Sequence, residues 1–164
     1  MKKELILSML QYSKDPYRDF CFERDDEGPE KGLVRFEDAD LGWAFEWYRD
    51  KSNDCLRDNG FSFYYARWVY ADPYTFPTKD VNNPNPEEDR YLQIGKPYGL
   101  EDEPLLTVVD IQYVSEGSVH IISSYETGNE YYKELYKKSV LRRKKANAAF
   151  ERNVDWLAKQ MGYL

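Results

Sequence analysis

Few side chains in this 164-residue chain can move a proton near neutral pH, because it carries one histidine, His120, and two cysteines, Cys21 and Cys55. Any Ser-His-Asp or Cys-His arrangement must therefore use His120. An imidazole titrates near neutrality, so His120 suits acid or base work. The cysteines form no CxxC pair, which excludes a Cys/His zinc finger and a His-rich metal centre. Two ordinary buried or half-buried thiols are expected. Cations that could hold an anion are Lys51, Arg90 and a dense run of Lys137, Lys138, Arg142, Arg143, Lys144 and Lys145. The 15 tyrosines, Tyr91 among them, offer faces on which bases could stack. Glu87-Glu88-Asp89 and Glu101-Asp102-Glu103 hold enough carboxylates for a divalent ion, but their spacing singles out no ligand set. No metal and no cofactor is expected.

Each residue also has an ordinary alternative. His120 lies in SVHIISS, where a lone strand histidine can be structural. Lys51 can be a solvated helix side chain. Arg90 can pair with Glu88 or Asp89. The basic run can be a solvated helix face, an RNA-contacting stripe or a contact to an acidic partner.

Local signals indicate the elements that must position these groups. A helix over about Tyr48–Asp58 is closed by Asn59-Gly60, residues that tolerate the left-handed turn at a helix end. Ser62 caps a second short helix, Phe63–Tyr70, which Asp72-Pro73 stops. Tyr74–Lys79, Arg90–Gly95, Pro104–Tyr113 and Ser118–Ser124 read as strands, with a turn at Glu116-Gly117. Their spacing predicts an antiparallel meander of three or four strands. Asn129–Lys145 reads as a charged helix. Phe150, Val154, Leu157 and Met161 then fall on one helix face that must pack on something. Lys3–Tyr12 reads as a short helix rather than a signal peptide, and Asp19–Glu23 and Leu33–Phe36 as weak strands.

Length fits one domain, and the order helix, helix, strands, helix makes it α+β. Hydrophobic residues make up 41% of the chain and charged residues 32%, with a mean hydropathy of −0.82. The net charge is −7, but it is uneven: residues 1–42 carry −4, residues 43–110 carry −6 and residues 111–164 carry +3. An acidic balance disfavours nonspecific binding to nucleic acid or to anionic membrane. No apolar run approaches the ~18 residues that span a bilayer. A cytoplasmic protein without membrane contact is expected.

The order of motifs resembles the BrnT family. Phe45-Glu46-Trp47, Lys51, Leu56-Arg57, Gly60, Ser62-Phe63, Ala66, Val69 and Asp72-Pro73 are similar to that family's opening. Glu88-Asp89-Arg90-Tyr91 through Ile94-Gly95, then Leu105–Asp110, Val119–Ser123 and Glu130–Tyr136, look like its later strands and helix. The family comprises small ribonuclease toxins with a RelE-like fold, made beside a BrnA antitoxin of ribbon-helix-helix type. The resemblance implies a small antiparallel sheet with two helices before it and helices after it. It also implies an N-terminal extension over 1–42, a BrnT-like unit over 43–136 and a helical addition over 137–164.

Several positions depart from the family pattern. Its Lys-His-Gly becomes Asp58-Asn59-Gly60, a strand ends in Asp110, and two arginines are replaced by His120 and Tyr125. The implied activity is metal-independent RNA cleavage with an altered active site. Lys51 and Arg90 would hold phosphate, His120 would act as acid or base, and Tyr125 would assist. Tyr91, Lys137, Lys138, Arg142 and Arg143 would contact RNA. The alternative is a catalytically degenerate protein-binding module, such as a phage or mobile-element inhibitor of a nucleic-acid-binding protein.

Overall fold

The computed structural model describes residues 32–97 and 105–162. The predicted elements at Lys3–Tyr12 and Asp19–Glu23, together with Cys21 and the cluster Glu101–Glu103, lie outside the described residues. The described chain runs β1 (Leu33–Asp38), β2 (Trp43–Tyr48), α1 (Arg49–Asn59), α2 (Phe63–Ala66), a 3-10 turn (Arg67–Ala71), β3 (Phe76–Lys79), β4 (Tyr91–Gly95), β5 (Leu106–Ser115), β6 (Ser118–Thr127) and α3 (Glu130–Gln160). The class is α+β, as the sequence indicates.

One six-stranded sheet has the order β1-β2-β6-β5-β4-β3. The four later strands form the expected antiparallel meander. The sheet as a whole is mixed, because β2 lies parallel to β6, with Phe45 opposite Val119 and Glu46 opposite His120. Two strands also precede the helices, which corrects the expected order. The strand read at Leu33–Phe36, within the segment read as an extension, runs over Leu33–Asp38, is the edge strand of this sheet and pairs with all of β2. Parallel pairing of β2 with β6 joins residues some 74 positions apart, a nonlocal contact without a short-range signal.

The local signals act as expected at the helices. Gly60 takes the left-handed conformation (φ 79°) and its N–H donates to Leu56 O, closing α1. The Ser62 hydroxyl accepts from Tyr65 N–H at 3.4 Å, and Phe63 N–H donates to Ser52 Oγ at 3.0 Å, which ties α2 to α1. The predicted Phe63–Tyr70 helix is divided into one α turn and a tighter 3-10 turn. Lys137 lies within one continuous helix of 31 residues that starts at Glu130.

Strand alternation splits the apolar side chains between the two sheet faces. Phe45, Trp47, Val109, Ile111, Val119 and Ile121 face α1 and α2 and form the larger core with Cys55, Phe61, Phe63 and Val69. Leu92, Ile94, Leu106 and Val108 point the other way and pack on Tyr136 of α3. Asp72 anchors that helix. Its buried carboxylate accepts from Tyr74 N–H (2.8 Å), Lys96 N–H (2.7 Å) and Tyr136 Oη (2.8 Å). Only glycine fits beside it at position 95, where a Cβ would stand 2.9 Å from Asp72 Oδ2. Ser139 Oγ adds a bond to Tyr74 O at 2.7 Å. Beyond Val140 the helix leaves the sheet.

Candidate functional site

The α3 helix covers one end of its sheet face and leaves the other end open. Alternation sets what stands there: Glu46 lies between the buried rings of Phe45 and Trp47, Tyr48 follows them at the end of β2, and His120 lies between buried Val119 and Ile121. Glu46, His120 and Gln112 are neighbours across β2, β6 and β5. The His120 Nδ1 and Glu46 Oε1 atoms are 3.2 Å apart, and the Tyr48 ring packs edge-on against the imidazole at 5.5 Å. These residues line a groove of about 560 Å³ together with Glu87, Glu88, Asp89, Tyr113 and Val114.

Arg90 enters the same face just before β4. Its Nη2 is 2.6 Å from Glu88 Oε2, and its Nη1 is 3.6 Å from Asp110 Oδ2. Asp110 is buried, and its Oδ1 has no hydrogen-bond partner. Desolvation pushes the Asp110 carboxyl up to about 6, helped by the negative charge of Asp80 and opposed by Arg90. Further along, Tyr125 and Tyr132 bring their hydroxyls to 3.5 Å. Burial raises the Tyr125 phenol well above its ordinary value, and the bond to Tyr132 adds to the shift.

The sequence-predicted residues divide between the two faces. Arg90, His120 and Tyr125 share the α3 side of the sheet. Lys51 is exposed on α1, whose buried residues Ser52 and Cys55 pack on the opposite face. Tyr91 also packs on that opposite side, 5.3 Å from the Tyr113 ring and with Lys79 Nζ 5.1 Å above it. Lys137 pairs with Glu134 at 2.7 Å, and Lys138, Arg142 and Arg143 are exposed along α3. Cys55 is a free buried thiol whose pKa is raised by burial, as expected for an ordinary core cysteine.

Glu46 and Tyr132 complete this face and carry no role in the sequence reading, whereas Glu88 is the partner that reading offered Arg90. Glu46 had a legible signal, since one carboxylate between Phe45 and Trp47 must emerge on the face opposite two buried rings. Among the described residues, no group of three or more His, Cys, Asp or Glu side chains is placed to hold a metal ion. No described helix is long and apolar enough to cross a membrane.

These features define an α+β protein with a mixed sheet and an acidic groove holding one histidine and one ion-paired arginine. No protein-family model matches the sequence, and no curated protein matches it. Among solved structures the chain is similar to the Brucella abortus ribonuclease toxin BrnT, at 20% identity over 51% of this chain and 94% of that chain, with a TM-score of 0.34. Two backbones that diverge this far transfer no residue roles.

Proposed function

We propose that the chain is a protein-binding module whose open sheet face docks a basic partner. One observation carries this reading: the two groups best placed to handle a phosphate are already held by carboxylates. Arg90 sits between Glu88 and Asp110, and His120 sits beside Glu46. Glu87 and Asp89 add further negative charge to the same groove. Such a surface repels a polyanion and attracts lysine and arginine side chains. An inhibitor of a nucleic-acid-binding protein, of the kind a phage or mobile element carries, is one form of this function.

The direct test is calorimetric titration with an arginine-rich peptide at several salt concentrations. Binding that weakens as salt rises, and that falls at least about tenfold in the Glu87→Gln/Glu88→Gln/Asp89→Asn variant, supports the reading. Equal binding by that variant removes it.

Asp110 favours a second reading. A carboxyl that titrates near pH 6 beside an arginine is an acid–base group at working pH. In that reading the chain is a BrnT-type endoribonuclease, with Arg90, His120 and Tyr125 at the reacting phosphate and Lys51, on the far side of the sheet, taking no part in the chemical step. Tyr91, Lys137, Lys138, Arg142 and Arg143 would hold RNA, and a ribbon-helix-helix antitoxin would be the partner. Incubation with total RNA decides between the two. Cleavage that disappears in Arg90→Ala and His120→Ala replaces the docking reading with this one. No cleavage, or equal cleavage by all three proteins, discards the nuclease.

A further inference from the structure

At 1.5 Å per residue the 31-residue α3 helix is about 46 Å long. Only its first three turns touch the sheet, through Tyr136, Ser139 and Val140. From residue 141 to 162 every described side chain is exposed or, at Ala149 and Ala158, half-buried. Yet this stretch is not polar on all sides. Phe150 (69% exposed), Val154 (45%), Leu157 (50%) and Met161 (66%) stand uncovered. Their spacing of four, three and four residues is that of consecutive d, a, d and a positions of a heptad. The same frame runs backward through Asn147 and Arg143 to Val140 and Tyr136. The stripe that binds the sheet thus continues past its edge on the same helix face.

We propose that this stripe is a dimer seam, occupied by the same segment of a second copy in parallel. Three features select that occupant. The β-branched Val154 at a, followed by Leu157 at d, is the arrangement that favours two parallel strands. Asn147 at the preceding a position would meet its own copy across the axis, and a single polar a residue sets register and strand number. The available area also fits. An aromatic such as Phe150 buries about 150–250 Å². At 69% exposure Phe150 supplies part of that, and with Val154, Leu157 and Met161 the uncovered area is roughly 400 Å² per partner, the scale of a weak, reversible interface. Trp156 (61% exposed) falls at c, off the seam.

Parallel pairing has an electrostatic consequence. It sets Arg143 at d and Lys144 at e of both copies close together, with Arg142 and Lys145 beside them on the outer face, so their repulsion opposes association. Raising salt screens that repulsion and must tighten the dimer. The proposal is independent of what the acidic groove binds.

Sedimentation velocity of the full chain from about 1 to 200 µM tests it. The expected result is a concentration-dependent dimer, tighter at 0.5 M than at 0.05 M NaCl. Leu157→Glu should raise the Kd at least about a hundredfold, because it removes one leucine from each copy and buries charge. Trp156→Glu should change it less than about threefold. Residues 141–162 do not pack on the sheet, so both variants keep the fold, which an unchanged thermal melt at low concentration checks. A monomer throughout the range overturns the proposal, as does equal loss in both variants or weakening of the dimer by salt.

Discussion

Two arginine–aspartate pairs stand in this sheet and behave oppositely. Arg67 and Asp38 approach to 3.5 Å with side chains 3% and 6% exposed, and the guanidinium is enclosed by Phe36, Tyr64 and Trp68 at 4.0–5.0 Å from their centroids. The Asp38 carboxylate also accepts from Asp40 N–H and Leu41 N–H at 3.1 Å each. This pair fastens edge strand β1 to the 3-10 turn. Arg90 and Asp110 stand 3.6 Å apart with side chains 19% and 10% exposed, on the open groove. There Arg90 is shared with Glu88, and one Asp110 oxygen goes without a bond. Similar distances thus produce a fastener where aromatic rings and backbone donors complete the pair. They leave a titratable site where those supports are missing.

The contrast breaks most readily at Arg67. Replacing it with methionine leaves the Asp38 carboxylate buried without its cation. The expected loss is about 3–5 kcal/mol of unfolding free energy, read from urea denaturation. A loss under about 1 kcal/mol would mean that Asp38 does not need the guanidinium and that the two pairs are alike.

Asp110 should show the opposite sign. Its folded carboxyl is raised to about 6 from 3.8, so the native state binds a proton that the unfolded chain has already released. The charged form therefore costs stability, and the cost grows as pH rises from about 4 to 6. The full difference is at most about 3 kcal/mol. Denaturation at pH 5 and pH 7 should show the wild type gaining stability on acidification. Asp110→Asn should be more stable than wild type at pH 7 and lose this part of the pH dependence. An Asn variant that is less stable at pH 7 would make Asp110 a structural partner of Arg90 after all.

The smallest effect is expected at Arg90. It is partly solvated and shared between two carboxylates, so Arg90→Ala should cost only about 1 kcal/mol. Its clearer mark is on Asp110. Removing a cation that pulls the carboxyl down must move its titration above 6, followed by carboxyl carbon NMR. An unmoved midpoint would separate the two residues electrostatically.

The chain's local signals reach far into the fold. Asn59-Gly60 ended α1, Ser62 capped α2, and the alternation in Arg90–Gly95 and Ser118–Ser124 matched β4 and β6. These features depend on contacts within a few residues, so they are readable without tertiary information. The strand at Leu33 was readable, but β2, its pairing with β1 and its parallel join to β6 were not. That pairing depends on segments distant in sequence meeting over a common core. The apolar stripe at Phe150–Met161 was legible, but the expectation that it packs was not met by the described residues of this chain. Burial is a property of what surrounds a helix and not of its pattern.

For the candidate site, residue types alone singled out His120 and Arg90 and placed the excess of acid in the first 110 residues. Charge inventory is additive and can be counted along a chain. Only the tertiary structure decided that Lys51 stands behind the opposite sheet face and that Glu46 faces His120. It likewise decided that Arg90, whose pairing with Glu88 the sequence offered, also reaches Asp110. A charge acquires its chemical character from neighbours within a few ångströms and from the water removed around it. The sheet's pairing brought those neighbours from four separate stretches of the chain.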